Sequence, residues 1–178
     1  MRDEYAIVLD FLSQGKPTDR RAEPVAQVLG ERFFNLLEVS VKEGVSLKPG
    51  DRVYIGPEKR EKVKRIRGRI RYDELTSMAK DELVKVLEKL VTENEKRFVE
   101  FFNRATPIST RLHSLELLPG IGKKHMWEII KKRKVKPFES FEDLRKRIPM
   151  LPDPKRMIVR RIIEELEGKD RHRLFVAR

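Results

Sequence analysis

The segment with the clearest chemical potential is a Pro-Gly-hydrophobe-Gly run followed by two lysines, residues 118–124. Pro119 cannot continue a helix, and glycine tolerates the positive φ that a tight reversal needs. Helical spacing of apolar residues resumes after Gly122, so the pattern predicts a hairpin followed at once by a second helix. With no Cβ at Gly120 or Gly122, a phosphate can approach the unpaired N–H groups of that helix N-terminus.

The residues around this turn favour a phosphate ligand. Lys123 and Lys124 add positive charge, while Leu118 and Ile121 are expected to point inward and hold the hairpin to its own helices. An αα-hairpin without a ligand is the alternative, but that turn does not need the lysines. The run resembles the helix-hairpin-helix family of sequence-independent nucleic-acid binders, whose signature is hydrophobe-Pro-Gly-hydrophobe-Gly before a basic residue. The predicted binding residues are Gly120, Ile121, Gly122, Lys123 and Lys124.

A second basic run lies in the first half of the chain. It comprises Lys62, Lys64, Arg65, Arg67, Arg69 and Arg71. In a strand, alternation puts the four arginines on one face and Ile66 and Ile70 on the core face. Same-side residues are then about 6.6–7 Å apart, close to a nucleotide step, so the row is predicted to follow a phosphate backbone. The alternative is a solvated strand face neutralised by Glu38, Glu58 and Glu61. Gly68 within the row is interpreted as marking either a bulge or a close approach of the backbone.

Charge and composition limit the function classes. The 178 residues hold 41 Lys and Arg against 29 Asp and Glu, a net charge of +12. This predicts an anionic partner, most simply nucleic acid, with an anionic membrane surface as the other option. No apolar run approaches the roughly 18 residues of a membrane span, and no signal peptide is recognised, so a cytoplasmic protein without membrane contact is expected.

The same composition gives no sign of catalysis. Cysteine is absent and the three histidines are scattered, so no metal site, cofactor or catalytic residue is predicted. Abundant Lys, Arg and Glu with scarce Asn and Gln is a composition seen in hyperthermophiles. One weak enzymatic alternative remains, because Lys124 followed by Glu142 and Asp143 superficially matches the lysine and aspartate of some DNA glycosylases.

The predicted fold class is α+β, with a small OB-like β-barrel followed by an all-α tandem helix-hairpin-helix domain. Short β-rich runs with Gly and Pro between them place the barrel at residues 1–72. Apolar helical spacing predicts a bridge at 73–107, either as one helix or as two that meet near Thr92, where a capping box is expected with Glu95. The helical domain is predicted at 108–178.

An internal repeat is expected within the helical domain. Leu118-Pro119 aligns with Leu151-Pro152 at an offset of 33, and Asp153 and Lys155 then replace the two glycines. The second hairpin is therefore expected to be degenerate, with any nucleic-acid contact coming from the side chains of Lys155 and Arg156. Trp127 lies among helix-core positions and is expected to be buried, with a base-stacking platform as the alternative.

The order of features is similar to an archaeal family of uncharacterised proteins known as domain of unknown function 655. The resemblance covers nearly the whole chain and implies RNA rather than DNA as the ligand; the residues alone indicate only a polyanion. The leading hypothesis is a non-enzymatic RNA-binding or DNA-binding protein. A protein-interaction module of a ribosomal, replication or repair assembly is the second, and a glycosylase or lyase the third.

Overall fold

The computed structural model describes residues 1–178 as a mixed α+β protein. The strands are β1 (Tyr5–Leu12), β2 (Val25–Gly30), β3 (Leu36–Val41), β4 (Arg52–Tyr54) and β5 (Val63–Arg69). The helices are α1 (Ser77–Glu93), α2 (Glu95–Arg104), α3 (Lys123–Val135), α4 (Phe141–Arg147) and α5 (Pro154–Leu166), with 3-10 turns at Tyr72–Glu74 and Ser114–Leu117. By compactness the chain forms two units, residues 1–86 with 165–178, and residues 87–164.

The first unit is built on a curled five-stranded antiparallel sheet, a half-barrel, with strand order β4-β1-β2-β3-β5. The β-rich run predicted from residue 5 to residue 12 is confirmed as β1. Alternation places small β-branched and aliphatic side chains on the concave core face. That core is formed by Ala6, Val8, Ala26, Val28, Val39, Val41, Leu47, Val53, Ile55 and Val63.

Every residue of β2 is buried, so the central part of the sheet is covered on its second face as well. The side chain of Gln27 donates to the Glu74 carbonyl at 3.0 Å and accepts from the Thr76 amide at 3.0 Å. Thr76 in turn donates to Asp10 at 2.6 Å and caps α1 by accepting from the Ala79 amide. These buried polar groups are all paired, and they fix the start of α1 against the sheet.

The last residues of the chain belong to this same unit. Glu165 is fully buried, and its carboxylate accepts from the amides of Leu174, Phe175 and Val176 at 2.9, 3.1 and 3.0 Å. The Ala177 amide donates to the Phe33 carbonyl just ahead of β3. The Glu165 carboxylate therefore fixes the conformation of the C-terminal segment. No sequence pattern predicted that this segment belongs to the same unit as the sheet.

The second unit is helical, and the junction of α1 and α2 departs from the prediction in one detail. α1 and α2 are separate helices that meet at Asn94, so the two-helix alternative is confirmed. The predicted capping box from Thr92 to Glu95 is wrong, because Thr92 lies inside α1 and donates to the Glu88 carbonyl at 2.8 Å. A threonine hydroxyl satisfied by its own helix is not available as a cap.

The first testable prediction concerns Glu165. Glu165→Ala leaves three backbone N–H groups without their charged acceptor, so we expect a loss of about 3 kcal/mol or more in the free energy of unfolding. Limited proteolysis should then cut the last residues of the chain first. The control is Glu167→Ala, an exposed residue two positions on, expected to change stability by less than about 0.5 kcal/mol. Equal stability of the two variants in urea titration would contradict the role assigned to Glu165.

Candidate functional site

The Pro-Gly turn is a tight reversal whose geometry requires glycine at one of its two positions. Gly120 has φ +99°, a conformation that side chains with a Cβ rarely adopt. A Cβ there would also come within 3.3 Å of Pro152 Cγ and 3.4 Å of Met157 Sδ. The turn is closed by the Ile121 amide, which donates to the Leu118 carbonyl at 3.1 Å. Both of those apolar side chains are buried, as predicted.

Gly122 serves a different purpose from Gly120. Its backbone is extended, with φ −99° and ψ −171°, so any residue is tolerated on conformational grounds. Nothing lies within 4 Å of the place a Cβ would occupy. Gly122 is the N-cap of α3, and it offers no side chain to accept from the first N–H groups of that helix. Open space therefore lies directly above a helix N-terminus.

The amides at this N-terminus have no acceptor in the protein. The first intrahelical bond runs from the Met126 amide to the Gly122 carbonyl at 3.0 Å. The amides of Lys123, Lys124 and His125 precede it and make no hydrogen bond within the chain. The first turn of α3 also contains no acidic residue. The partial positive charge of the helix end is thus unopposed, which is the condition that attracts an anion.

A polar network on the preceding 3-10 turn holds the hairpin in place. His113 Nδ1 accepts from the Leu115 amide at 3.0 Å, and Glu116 Oε1 accepts from the His113 amide at 2.9 Å. The Lys123 ammonium donates to Glu116 at 2.9 Å and to the Arg111 carbonyl at 3.1 Å. Lys123 therefore stabilises the turn, whereas the exposed Lys124 side chain has no partner within the chain.

The roles of His113 and Glu116 at the hairpin were not predicted from the sequence. The element before the hairpin is a single 3-10 turn, Ser114–Leu117. The two residues form a capping box around it, and their three-residue spacing is the signal that was available. The Lys123 ammonium and the His113 amide both hold the pKa of Glu116 below its usual range.

A second turn in this unit resembles the Gly120 turn, but it does not lie at the predicted offset of 33. Met150 has φ +65°, and the Leu151 amide donates to the Ile148 carbonyl at 3.3 Å, which reproduces the Gly120 turn at an offset of 30. The predicted offset paired the dipeptide Leu118-Pro119 with Leu151-Pro152. By backbone conformation, however, the residue equivalent to Pro119 is Pro149. Asp153 therefore does not take the place of the positive-φ glycine.

Asp153 instead stands immediately before α5, in the position that Gly122 holds before α3. Its carboxylate accepts from the Lys155 amide at 3.0 Å, so an internal anion already occupies that helix start. Lys155 and Arg156 lie in the first turn of α5. Because Gly120 lies beside Pro152 and Met157, the two turns are neighbours within this unit. Only the first turn presents an unoccupied helix N-terminus.

The predicted arginine row on β5 is interrupted. The register against β3 shifts twice, so Arg67 and Lys64 are extra residues in two β-bulges, and strict alternation fails. Gly68, at one bulge, has φ +144°, which only glycine adopts readily. Arg71 lies beyond the strand end and pairs with Asp73 at 3.0 Å. The four arginines therefore do not form one regular face.

Acidic neighbours already neutralise part of this second basic region. Arg67 is only partly exposed and contacts Asp19 at 3.0 Å and Glu38 at 3.3 Å. Its guanidinium holds the pKa of Asp19 below the usual range. Lys64 and Arg65 lie 3.9 and 3.7 Å from the single carboxylate of Glu23. The exposed cations without an acidic partner here are Lys62 and Arg69.

The prediction that Trp127 is buried is wrong. Its side chain lies on the surface of α3 with 62% of the residue exposed. Apolar spacing placed it with Met126 and Ile129, which are buried on the other side of the helix. Adjacent positions on a helix point about 100° apart, so a tryptophan next to a core methionine need not be in the core.

The acidic residues considered for an enzymatic role have structural partners. Asp143 accepts from the Glu139 amide at 3.0 Å and contacts Arg147 at 3.3 Å, and both interactions lower its pKa. Glu142 is exposed and pairs with Lys146 along α4. Across residues 1–178 no group of three His, Asp or Glu side chains is arranged to hold a metal ion. None of the helices is both long and apolar enough to span a bilayer.

Sheet and helices together define a mixed α+β protein with a half-barrel, five helices and, at α3, a helix start with neither a capping side chain nor an acidic residue in its first turn. Residues 2–177 match the model of a family described as "Protein of unknown function (DUF655)", and the chain belongs to this family. It is 49% identical over 176 residues to the uncharacterized protein MJ0038 of Methanocaldococcus jannaschii, covering 98% of this chain and 80% of that protein.

A solved structure supports the same relationship. The crystal structure of Af1531 from Archaeoglobus fulgidus, described with the same family, superposes with a TM-score of 0.90 at 49% identity. The match covers 98% of this chain and all of that chain. The resemblance to domain of unknown function 655 is thus confirmed, and both named relatives are archaeal proteins whose names state no activity.

The site generates one prediction about pH. Burial disfavours the imidazolium form of His113, and Arg133 and Lys123 repel it, so its pKa lies below the ordinary value of about 6.5. The unfolded chain then binds more protons below about pH 6.5, and the stability from neutral His113 is lost as the pH falls through the folded-state pKa. NMR titration of the ring should give a pKa below about 6.5.

The matching thermal measurement compares wild type with His113→Asn. Asparagine caps a helix start without titrating, so the decrease in Tm between neutral and mildly acidic pH should be smaller in this variant. An identical decrease in both proteins would show that His113 is not the titrating group.

Proposed function

We propose that this protein binds nucleic acid without catalysing a reaction, and that it contacts the phosphate backbone at the start of α3. The observation that carries the proposal is the unoccupied helix N-terminus above Gly122, with three free amides, the unpaired Lys124 and no acidic residue in its first turn. A phosphate oxygen accepts from such amides and is favoured by the helix dipole.

The finer structural assignments belong to the same proposal. The Leu118–Lys124 segment is proposed to be a helix-hairpin-helix hairpin, in which Gly120 makes the turn and Gly122 leaves room for the ligand. The half-barrel is proposed to be an open relative of the OB fold, contacting a further stretch of backbone through Lys62 and Arg69. The support is the motif in the first case and the five-stranded antiparallel topology in the second.

The ligand is proposed to be RNA rather than DNA, in the cytoplasm. This choice rests on the family resemblance, because the contacts named above recognise phosphate, which both polymers carry. Binding should accordingly be weakly sequence-specific and strongly salt-dependent.

A second candidate is a protein-interaction module of a ribosomal or repair assembly. The observation that favours it is the internal pairing of predicted contact residues: Arg67 with Asp19, Arg71 with Asp73, and Lys123 with Glu116. These cations offer less charge to phosphate than their number implies. Under this candidate, nucleic acid alone binds no more tightly than it binds any basic protein.

The glycosylase or lyase alternative is weaker than either. A catalytic carboxylate needs a pKa suited to proton transfer near neutral pH. The pKa of Asp143 is held low by the Glu139 amide and Arg147, and its oxygens serve the start of α4. Arg147 ties that helix to the carbonyls of Lys132 and Lys136, so the carboxylate belongs to a structural network.

A substitution at Gly122 separates binding from folding. Gly122→Asp gives α3 the same capping residue that Asp153 gives α5, so Tm should be unchanged or higher. The new carboxylate occupies the anion position and repels phosphate, so the Kd for an RNA oligonucleotide should rise roughly tenfold or more, as expected when hydrogen bonds to a charged group are lost.

The control for this substitution is Val84→Asp, which adds the same charge at an exposed position of α1. We expect this variant to bind within about twofold of wild type, because no phosphate contact is assigned to α1 and an exposed charge away from the ligand is screened by salt. Equal affinities of the two aspartate variants, measured by fluorescence anisotropy, would contradict a phosphate site at Gly122.

Salt dependence tests the role assigned to Lys124. Lys124→Ala removes one phosphate contact, so the slope of log Kd against log salt should fall by about 0.7 for a single strand and about 0.9 for a duplex. Lys96→Ala, an exposed lysine on α2, should leave the slope unchanged. A slope near zero for the wild-type protein would contradict binding through phosphate altogether.

A further inference from the structure

α3 carries its exposed tryptophan inside a row of lysines. Trp127 shares a face with Lys124, Lys131 and Lys134, which we call the α3 lysine face. At 100° per residue these four positions fall within an arc of about 80°, along about 15 Å of helix. All four are exposed, although tryptophan is highly buried on average in folded proteins.

The charges on this face are unpaired within the chain. None of its three lysines makes an ion pair or a side-chain hydrogen bond, and Glu128, the one acidic residue of α3, makes no ion pair with them. The face therefore combines an aromatic plane with positive charge that lacks an internal counterpart. Side chains on a helix generally lean toward its N-terminus, and from Trp127 that is the direction of the free amides above Gly122.

We propose that the α3 lysine face binds an unpaired segment of nucleic acid, with one base stacked on the Trp127 indole. The lysines contact the flanking phosphates, and the start of α3 holds the phosphate next to the stacked base. This inference rests on the proposed phosphate site and adds a ligand class to it, since the face of a base is available for stacking only where the strand is single or the base is unstacked.

Charge and shape favour a nucleotide over a protein partner on this face. Lysines spaced around an exposed aromatic ring match a strand that alternates anionic phosphates with flat bases, which is the pattern of single-strand binding surfaces. An acidic protein would pair with the lysines equally well, but its anionic side chains do not each come with a flat ring, whereas every phosphate of a nucleic-acid strand is followed by a base. Such a protein remains the candidate occupant if none of the oligonucleotides in the experiment below binds.

The experiment uses the single tryptophan of the full-length chain as its own probe, because every change in tryptophan emission reports Trp127. Three ligands are titrated at low salt: a uridine oligonucleotide, an abasic oligonucleotide of the same length, and a matched RNA duplex. The uridine strand should quench the emission saturably, with a midpoint equal to the Kd from anisotropy of the labelled strand. The abasic strand and the duplex should bind through their charge without comparable quenching.

Variants give the second readout. Trp127→Leu should weaken binding of the uridine strand roughly 5- to 100-fold, as expected for the loss of one stacked base, and leave binding of the abasic strand unchanged. Trp127→Phe should retain most of the affinity because a smaller aromatic ring still stacks. Val135→Ala, which shortens another exposed apolar residue of α3, should change neither affinity.

The outcomes distinguish this inference from the function on which it rests. Tight binding of the uridine strand without quenching, or with equal affinity in Trp127→Leu, overturns base stacking and leaves the phosphate site intact. Equal quenching by strand and duplex overturns the preference for unpaired segments. Failure of every ligand to bind at low salt overturns the proposed function and this inference together.

Discussion

The main constraint in the helical unit is the start of α3, where the first backbone amides have no hydrogen-bond acceptor within the chain. Other helical starts in the chain are capped by side chains: Thr76 before α1, His113 before the 3-10 turn, Ser140 before α4 and Asp153 before α5. α2 lacks such a cap but has Glu95 in its first turn. α3 has neither a capping side chain nor an acid, and two lysines follow its cap. Cations at the positive end of a helix dipole are unfavourable, so this end gains from an external anion.

The surroundings of this helix start hold it in one geometry. Gly120 adopts a conformation that other residues rarely take and lies against Pro152, while Ile121 is buried beneath the turn. Lys123 is bonded to Glu116 and to a loop carbonyl, so its ammonium already has acceptors within the chain. The amide donors of this helix start are therefore held in place before any anion binds. Binding would not carry the entropic cost of ordering them, because folding has already ordered them.

Two kinds of element could be predicted from the sequence: those with a clear local pattern of β-forming residues, and turns in which a glycine supplies a positive φ. β1 is of the first kind and the Pro-Gly turn of the second. The β5 bulge at Gly68 was one of two interpretations of that glycine, but the second bulge, at Lys64, escaped prediction because alternation along one strand does not reveal where its partner slips. Arg67 accordingly lies between two carboxylates instead of on an open row. The exposure of Trp127 was not predicted, because the spacing of apolar residues does not show whether a residue lies at the centre or at the exposed edge of the buried face of a helix.

Two further failures have a common cause in backbone conformation. The repeat register was wrong because Leu-Pro letters were matched, whereas Met150 adopts the positive φ that Gly120 supplies in the first turn. The role of Glu165 could not be predicted because its carboxylate accepts from three backbone amides, and every residue except proline has such an amide. Sequence patterns report side chains, and these features are made by the main chain.

Net charge also overstates the surface available to a partner. Within the predicted contact set, Arg67, Arg71 and Lys123 are held by acidic residues of the chain, whereas Lys124 is not. The unpaired cations of the helical unit thus include a row on α3, beside its uncapped start and its exposed indole. Phosphate contacts carry no base identity, and stacking tolerates every base. A ligand held by these two interactions alone is selected by whether its bases are free, and its sequence has little influence.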